Sequence, residues 1–156
     1  MANSKEIGSW LIANSKHLNL SVKNATWIQE WLPEYSHIFV EIAIDGNTVT
    51  GSSIDKSSDM AFIKAGAEAI ERLVCVENDL HSNGVAAHIN YDLAEENAKD
   101  ELLERDSFLS HFIGNVPFIK PSSSFLESKL FVNISSRLKS LGVELKIVKL
   151  KSQVDK

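Results

Sequence analysis

The sequence predicts an α+β fold, in which a small mixed or antiparallel sheet packs with three long helices. Three observations predict it. Residues 37–46, HIFVEIAIDG, set Ile38, Val40, Ile42 and Ile44 against Phe39, Glu41, Ala43 and Asp45 before a turn, the alternation of a half-buried strand entering a hairpin. Residues 59–75, 91–112 and 122–142 instead carry apolar side chains at the three-to-four spacing of amphipathic helices. Two segments 33 residues apart also match each other. That match predicts two strand-helix units related by an internal pseudo-twofold.

The elements follow in chain order. Ile7, Trp10 and Leu11 predict a short first helix over 5–13. In NATWIQEWLPEY, Asn24 or Thr26 offers a cap, Trp27 and Trp31 lie at i,i+4, and Pro33 is a stop; the tryptophans read as a core or interface stripe. The strand over 37–46 turns at Asp45-Gly46-Asn47 into a second strand, TVTGS. Ser57 or Ser58 begins the next helix, with Asp59 in its first turn, where the helix dipole favours an anion. LHSNGVAAHIN reads as a turn and a short strand, and Asn90 as the cap of the second long helix, which Gly114 and Pro117 end. SSSFLESKLFVNISSRLKSLG predicts a third long helix with Gly142 just past its end. VELKIVKL is expected as a closing strand and KSQVDK as a polar tail.

Composition narrows the function classes. The chain has 156 residues and no linker or low-complexity stretch, so one domain over 1–156 is expected. A formal net charge of −5 argues against a general nucleic-acid or anionic-membrane binder. Cys75, the one cysteine, excludes an intrachain disulfide, reads as a small buried hydrophobe, and fits a cytoplasmic setting. No run of about 18 apolar residues predicts a membrane span, and the N-terminal segment reads as part of the folded protein. No P-loop or G-x-G-x-x-G fingerprint is present, and the five histidines with one cysteine do not make a zinc spacing. His88 is expected to make an ordinary hydrogen bond, and His111 to pack with Phe108 and Phe112.

The internal match carries the chemistry. Aligning 51–72 with 84–105 pairs Gly51 with Gly84, Asp59 with Asp92, Ala61 with Ala94 and Ala65 with Ala98. Glu68, Glu71 and Arg72 pair with Glu101, Glu104 and Arg105, so each segment ends in Glu-x-x-Glu-Arg. At about 100° per residue, each helix gathers an alanine stripe leading to an acid and a base within roughly 60° of arc. The stripe is where another backbone can approach closely. If the two helices face each other, four carboxylates converge and need cations. Carboxylate oxygens suit Mg²⁺, which substrate phosphates complete, and an arginine fork suits those phosphates. Solvated helix faces with i,i+4 pairs, or a buried structural network, account for the same residues.

SNGVAAH (82–88), ELLERDSFLSHF (101–112) and VTGSSIDKSSDMAFIKAGAEAIER (49–72) together resemble the YcaO-like family. The resemblance covers roughly residues 37–150. It implies ATP-dependent activation of a peptide backbone amide, giving azoline- or thioamide-type products. It further implies Mg²⁺ held by Glu68, Glu71, Glu101 and Glu104, with Arg105 contacting phosphate; no residue is singled out as catalytic. Ala65 stands where the family's first motif helix has a serine, and only nine residues separate Arg72 from Ser82. The family's domain also runs on beyond the last strand. The chain therefore resembles a cut-down core, and a peptide substrate, a completing protein subunit and a homodimer are the expected partners. A non-catalytic binding or assembly module with structural glutamates is the alternative.

Overall fold

The computed structural model describes residues 2–81 and 83–150; Met1, Ser82 of the S-N-G motif and the KSQVDK tail lie outside them. The fold is α+β, with one three-stranded antiparallel sheet and six helices among the described residues. The chain divides into two compact units, Met1–Glu101 and Leu102–Lys156. No helix among the described residues is long and apolar enough to cross a membrane.

The first unit holds helix α1 (Ala2–Ala13), strand β1 (Ser21–Ala25), helix α2 (Trp27–Trp31), strands β2 (Ser36–Ile44) and β3 (Asn47–Asp55), helix α3 (Ser58–Glu77) and the start of helix α4 (Tyr91–Phe112). The strands lie in the order β1-β2-β3. The expected hairpin is present. Asp45 and Gly46 both take positive φ, 50° and 83°, giving the two-residue turn whose twist matches antiparallel strands. Ile38, Val40 and Ile42 form the buried row of β2, and Val49 adds to it from β3.

Helix α3 covers that row. Ser57 caps it, its hydroxyl accepting from the Met60 amide at 3.3 Å. Ala61, Ala65 and Ala69 are fully buried, so the stripe read from the sequence does admit a close backbone. That backbone is the sheet's. A Cβ on Gly51 would lie 2.0 Å from the Ala65 carbonyl oxygen and 2.5 Å from the Ala69 nitrogen. Leu11 of α1, fully buried, reaches over Gly66 to close the other side of the core.

Several expectations change. Strand β1 was not expected: SVKNA is polar at its centre and lies at the sheet edge, where charged residues such as Lys23 limit further pairing. The segment 85–89 forms no strand; the Ala87 amide within it donates to Glu71 rather than to a neighbouring strand. Of α2 only Ile28 is buried, and Trp27 is about half exposed with its ring edge-on to His37. In the second unit the third long helix is two helices, α5 (Ser123–Leu126) and α6 (Lys129–Ser140). Ser128 separates them, its hydroxyl accepting from the Phe131 amide at 3.3 Å, a local bond that competes with helix continuation.

VELKIVKL contributes one antiparallel bridge, Ile119 with Lys149, and no strand. Gly142 follows α6 with φ of 75°, as expected of a helix stop. His111 is buried, but it stacks on Phe118 at 5.2 Å, while Phe108 and Phe112 stack on each other.

Candidate carboxylate site

The site begins at the edge of β3 that no strand among the described residues pairs. In an antiparallel hairpin closed by a two-residue turn, alternate residues direct both N–H and C=O outward. At Thr50 and Ser52 those groups meet α3. The Ser52 amide donates to Glu68 Oε2 at 2.6 Å, and Arg72 Nη1 donates to the Thr50 carbonyl at 2.6 Å. Arg72 Nη2 closes the ring by donating to Glu68 Oε1 at 2.6 Å. One ion pair one helical turn long thus satisfies a donor and an acceptor that an edge strand would leave bare. The close seat of α3 on Gly51, between these two residues, allows it.

Glu71 faces a different segment. Its Oε1 accepts from the Ala87 amide at 2.7 Å. Glu101, on α4, accepts from the Gly84 amide through Oε2 at 3.1 Å. Gly84 has φ of 70°, a backbone state glycine reaches without steric cost. Asn90 caps α4 as expected, its Oδ1 accepting from the Leu93 amide at 3.0 Å. His88 Nδ1 accepts from the Asn90 amide at 3.0 Å, the ordinary hydrogen bond expected of it. Two amides between α3 and α4, those of Gly84 and Ala87, are therefore held by carboxylates reaching in from both helices.

Three of the four expected acids share one field. Burial raises the pKa of Glu71 above its ordinary value, and the charges of Glu101 and Glu68 add to the rise; the Ala87 amide and Arg72 oppose it. Glu104 and Arg105 are exposed and belong to the second unit. Cys75 is buried, its sulfur 3.9 Å from the His81 carbonyl oxygen, as a small hydrophobe would be.

Among the described residues no three Asp, Glu, His or Cys side chains are already arranged around one ion position. The donor set still fits Mg²⁺. Carboxylate oxygens are its preferred protein ligands, and it accepts one or two of them when waters and phosphates complete the shell. A cation would also relieve the repulsion that Glu71 feels. Arg72 is tied to Glu68 and Thr50.

A pH dependence follows from Glu71. Its folded-state pKa is raised, so the folded state holds the proton more tightly than the unfolded chain. Stability therefore falls as pH rises from the unfolded value, about 4.3, through the raised folded value, and stays lower above it. Glu71→Gln keeps an acceptor for the Ala87 amide and removes the charge. In Mg²⁺-free buffer it is expected to raise Tm at pH 7, by less than about 1 kcal/mol because the group is half exposed to screening solvent. The gain should vanish near pH 4. Thermal unfolding at both pH values checks this, and a lower Tm for the variant at pH 7 contradicts it.

The sequence signalled the acids through the repeat, but it gave no sign of the amides they hold. It also did not show an apolar cavity of about 360 Å³ beside Glu71, lined by α1, α3 and the 85–89 segment.

No family model matches the sequence, and no curated protein matches it. Among solved structures, the chain is similar to YcaO from Methanopyrus kandleri bound with AMPPCP and Mg²⁺, with a TM-score of 0.57 and 11% identity. The likeness covers 77% of this chain and 48% of that one, so the chain spans about half the length of the structure it matches. At this identity the shared property is the fold. The chain has a YcaO-like fold.

Proposed function

We propose that this protein binds Mg-ATP through Glu68, Glu71 and Glu101 and takes part in ATP-dependent activation of a peptide backbone amide, with a partner protein completing the site. The observation that carries the reading is the shared field at Glu71. Burial and the charges of Glu101 and Glu68 all disfavour its ionised form, an arrangement that a bound cation makes favourable. The YcaO-like fold supports it, since that neighbour was solved with AMPPCP and Mg²⁺. Glu104 and Arg105, which the sequence resemblance implied as a fourth ligand and a phosphate contact, belong to the second unit and are not part of this proposal.

In this reading Glu68, Glu71 and Glu101 hold the metal and so fix where the phosphates lie. When bound, Mg-ATP supplies the phosphoryl group that activates an amide oxygen. The chain's own contribution is positioning and charge compensation, the main demands of phosphoryl transfer. The Gly84 and Ala87 amides, held by the same carboxylates, keep the 85–89 segment against the metal ligands.

A second reading has a specific observation in its favour. Each of the three acids already accepts a backbone amide, and Glu68 is also paired with Arg72. Structural glutamates in a binding or assembly module would look the same without metal.

The two separate by nuclear magnetic resonance on uniformly ¹⁵N-labelled protein with ATP present. Substoichiometric Mn²⁺, replacing Mg²⁺, is expected to broaden the Ser52, Gly84 and Ala87 amides first and together. Broadening that begins on the outer face of α4, around Glu95 and Glu96, supports the structural reading instead.

A further inference from the structure

The cavity beside Glu71 lies within the first unit and has a volume of about 360 Å³, within the range of small-ligand pockets. Its walls are mostly aliphatic: Ile7 of α1, Ile70 and Val74 of α3, and Val85 and Ile89 from the connecting segment. Trp10 closes one side with a half-exposed ring. Two polar side chains, Glu71 and His88, also line it. Both direct a polar atom to the protein's own backbone, Glu71 Oε1 to the Ala87 amide and His88 Nδ1 to the Asn90 amide.

We propose that this cavity seats a bulky apolar side chain of the peptide whose amide is activated, making the protein selective for peptides with such a residue flanking that amide. The proposal rests on the Mg-ATP reading above, and it adds the substrate class. Its first support is the lining, which offers contact area and few hydrogen bonds. A leucine or phenylalanine side chain asks for nothing more. A nucleobase, the rival occupant, carries several hydrogen-bonding edge atoms, and burying those without partners is costly. Its second support is continuity. Glu71 belongs both to the cavity wall and to the carboxylate field, so whatever fills the cavity lies against the site of amide activation.

The test uses full-length protein and capped peptides of the form acetyl-Gly-Gly-X-Gly-amide, with X as Ala, Leu, Phe or Asp. Binding is read from Trp10 fluorescence in a Trp27→Phe, Trp31→Phe background, and Mg-ATP binding is read separately by calorimetry. The Leu and Phe peptides are expected to bind about tenfold more tightly than the Ala peptide, as the burial of a large apolar side chain implies. Ala67→Leu fills the cavity and should erase that preference while leaving Mg-ATP binding unchanged. Ile89→Ala, at an exposed position that does not threaten folding, should reduce the preference several-fold. Equal binding of all four peptides overturns the proposal. So does a loss of Mg-ATP affinity in Ala67→Leu or Ile89→Ala, which would give the cavity to the base. If the Leu preference stands and Mg-ATP does not bind, the selectivity is upheld and the nucleotide reading alone fails.

Discussion

A valine at position 51 is expected to unfold the first unit. The added Cβ would lie 2.0 Å from the Ala65 carbonyl oxygen and 2.5 Å from the Ala69 nitrogen. Those are backbone atoms of α3, so no side-chain rotation relieves the contact. The helix would have to lift from the sheet, uncovering Val40 and Ile42, both fully buried, and breaking the Ser52–Glu68 and Thr50–Arg72 hydrogen bonds. Overpacking against side chains costs about 1–3 kcal/mol. A clash with backbone lies at or above that upper end, a large share of a domain's total stability of about 5–15 kcal/mol. Local propensity points the other way, since valine favours strands more than glycine does. Urea unfolding followed by circular dichroism checks the result. Gly46→Ala serves as the control: its position is open, and the positive φ costs only about 1 kcal/mol. A wild-type midpoint for Gly51→Val contradicts the described seat of α3.

Converting Glu71 and Glu101 together to glutamine is expected to act with opposite sign on binding and on folding. Glutamine keeps a carbonyl oxygen for the Ala87 and Gly84 amides, so the connecting segment stays in place. The repulsion on Glu71 disappears, and the metal-free protein should be no less stable than wild type. In the Mg-ATP reading, however, the metal loses two anionic ligands. Contacts to charged groups are worth about 1.5–3 kcal/mol each, and every 1.4 kcal/mol is tenfold in affinity. Mg²⁺-dependent ATP binding should therefore weaken by about 100-fold or more. Structural glutamates give the same metal-free stability with no nucleotide binding to lose. Calorimetry for affinity and thermal unfolding for stability read the two effects on one preparation.

The parts of the fold that were legible in the sequence are those set by local chemistry. The β2–β3 hairpin follows from strict alternation and an Asp-Gly turn. Helices α3 and α4 follow from periodicity and the caps Ser57 and Asn90. What was not legible depends on tertiary partners. Strand β1 exists because β2 offers it an edge, and its own SVKNA carries too little apolar pattern to announce it. The 85–89 segment looks like a strand by composition, but Glu71 takes the Ala87 amide that a strand would offer a neighbour, and Glu101 takes that of Gly84 just before it. Ser128 fits a helix surface as well as a cap, so the break before α6 was hidden. At the site, the match between 51–72 and 84–105 exposed the acids. The sequence could not say that the alanine stripe of α3 faces the sheet, or that Arg72 is committed to Thr50 and Glu68.

The central claim is that this chain grips ATP through a metal held by its glutamates. Calorimetric titration of ATP into the wild-type protein, with and without Mg²⁺, tests it most directly. Saturable heat in the presence of Mg²⁺, lost without the metal and lost in Glu101→Ala, is the predicted result. No heat beyond dilution under either condition would contradict the claim and leave the glutamates as structural groups.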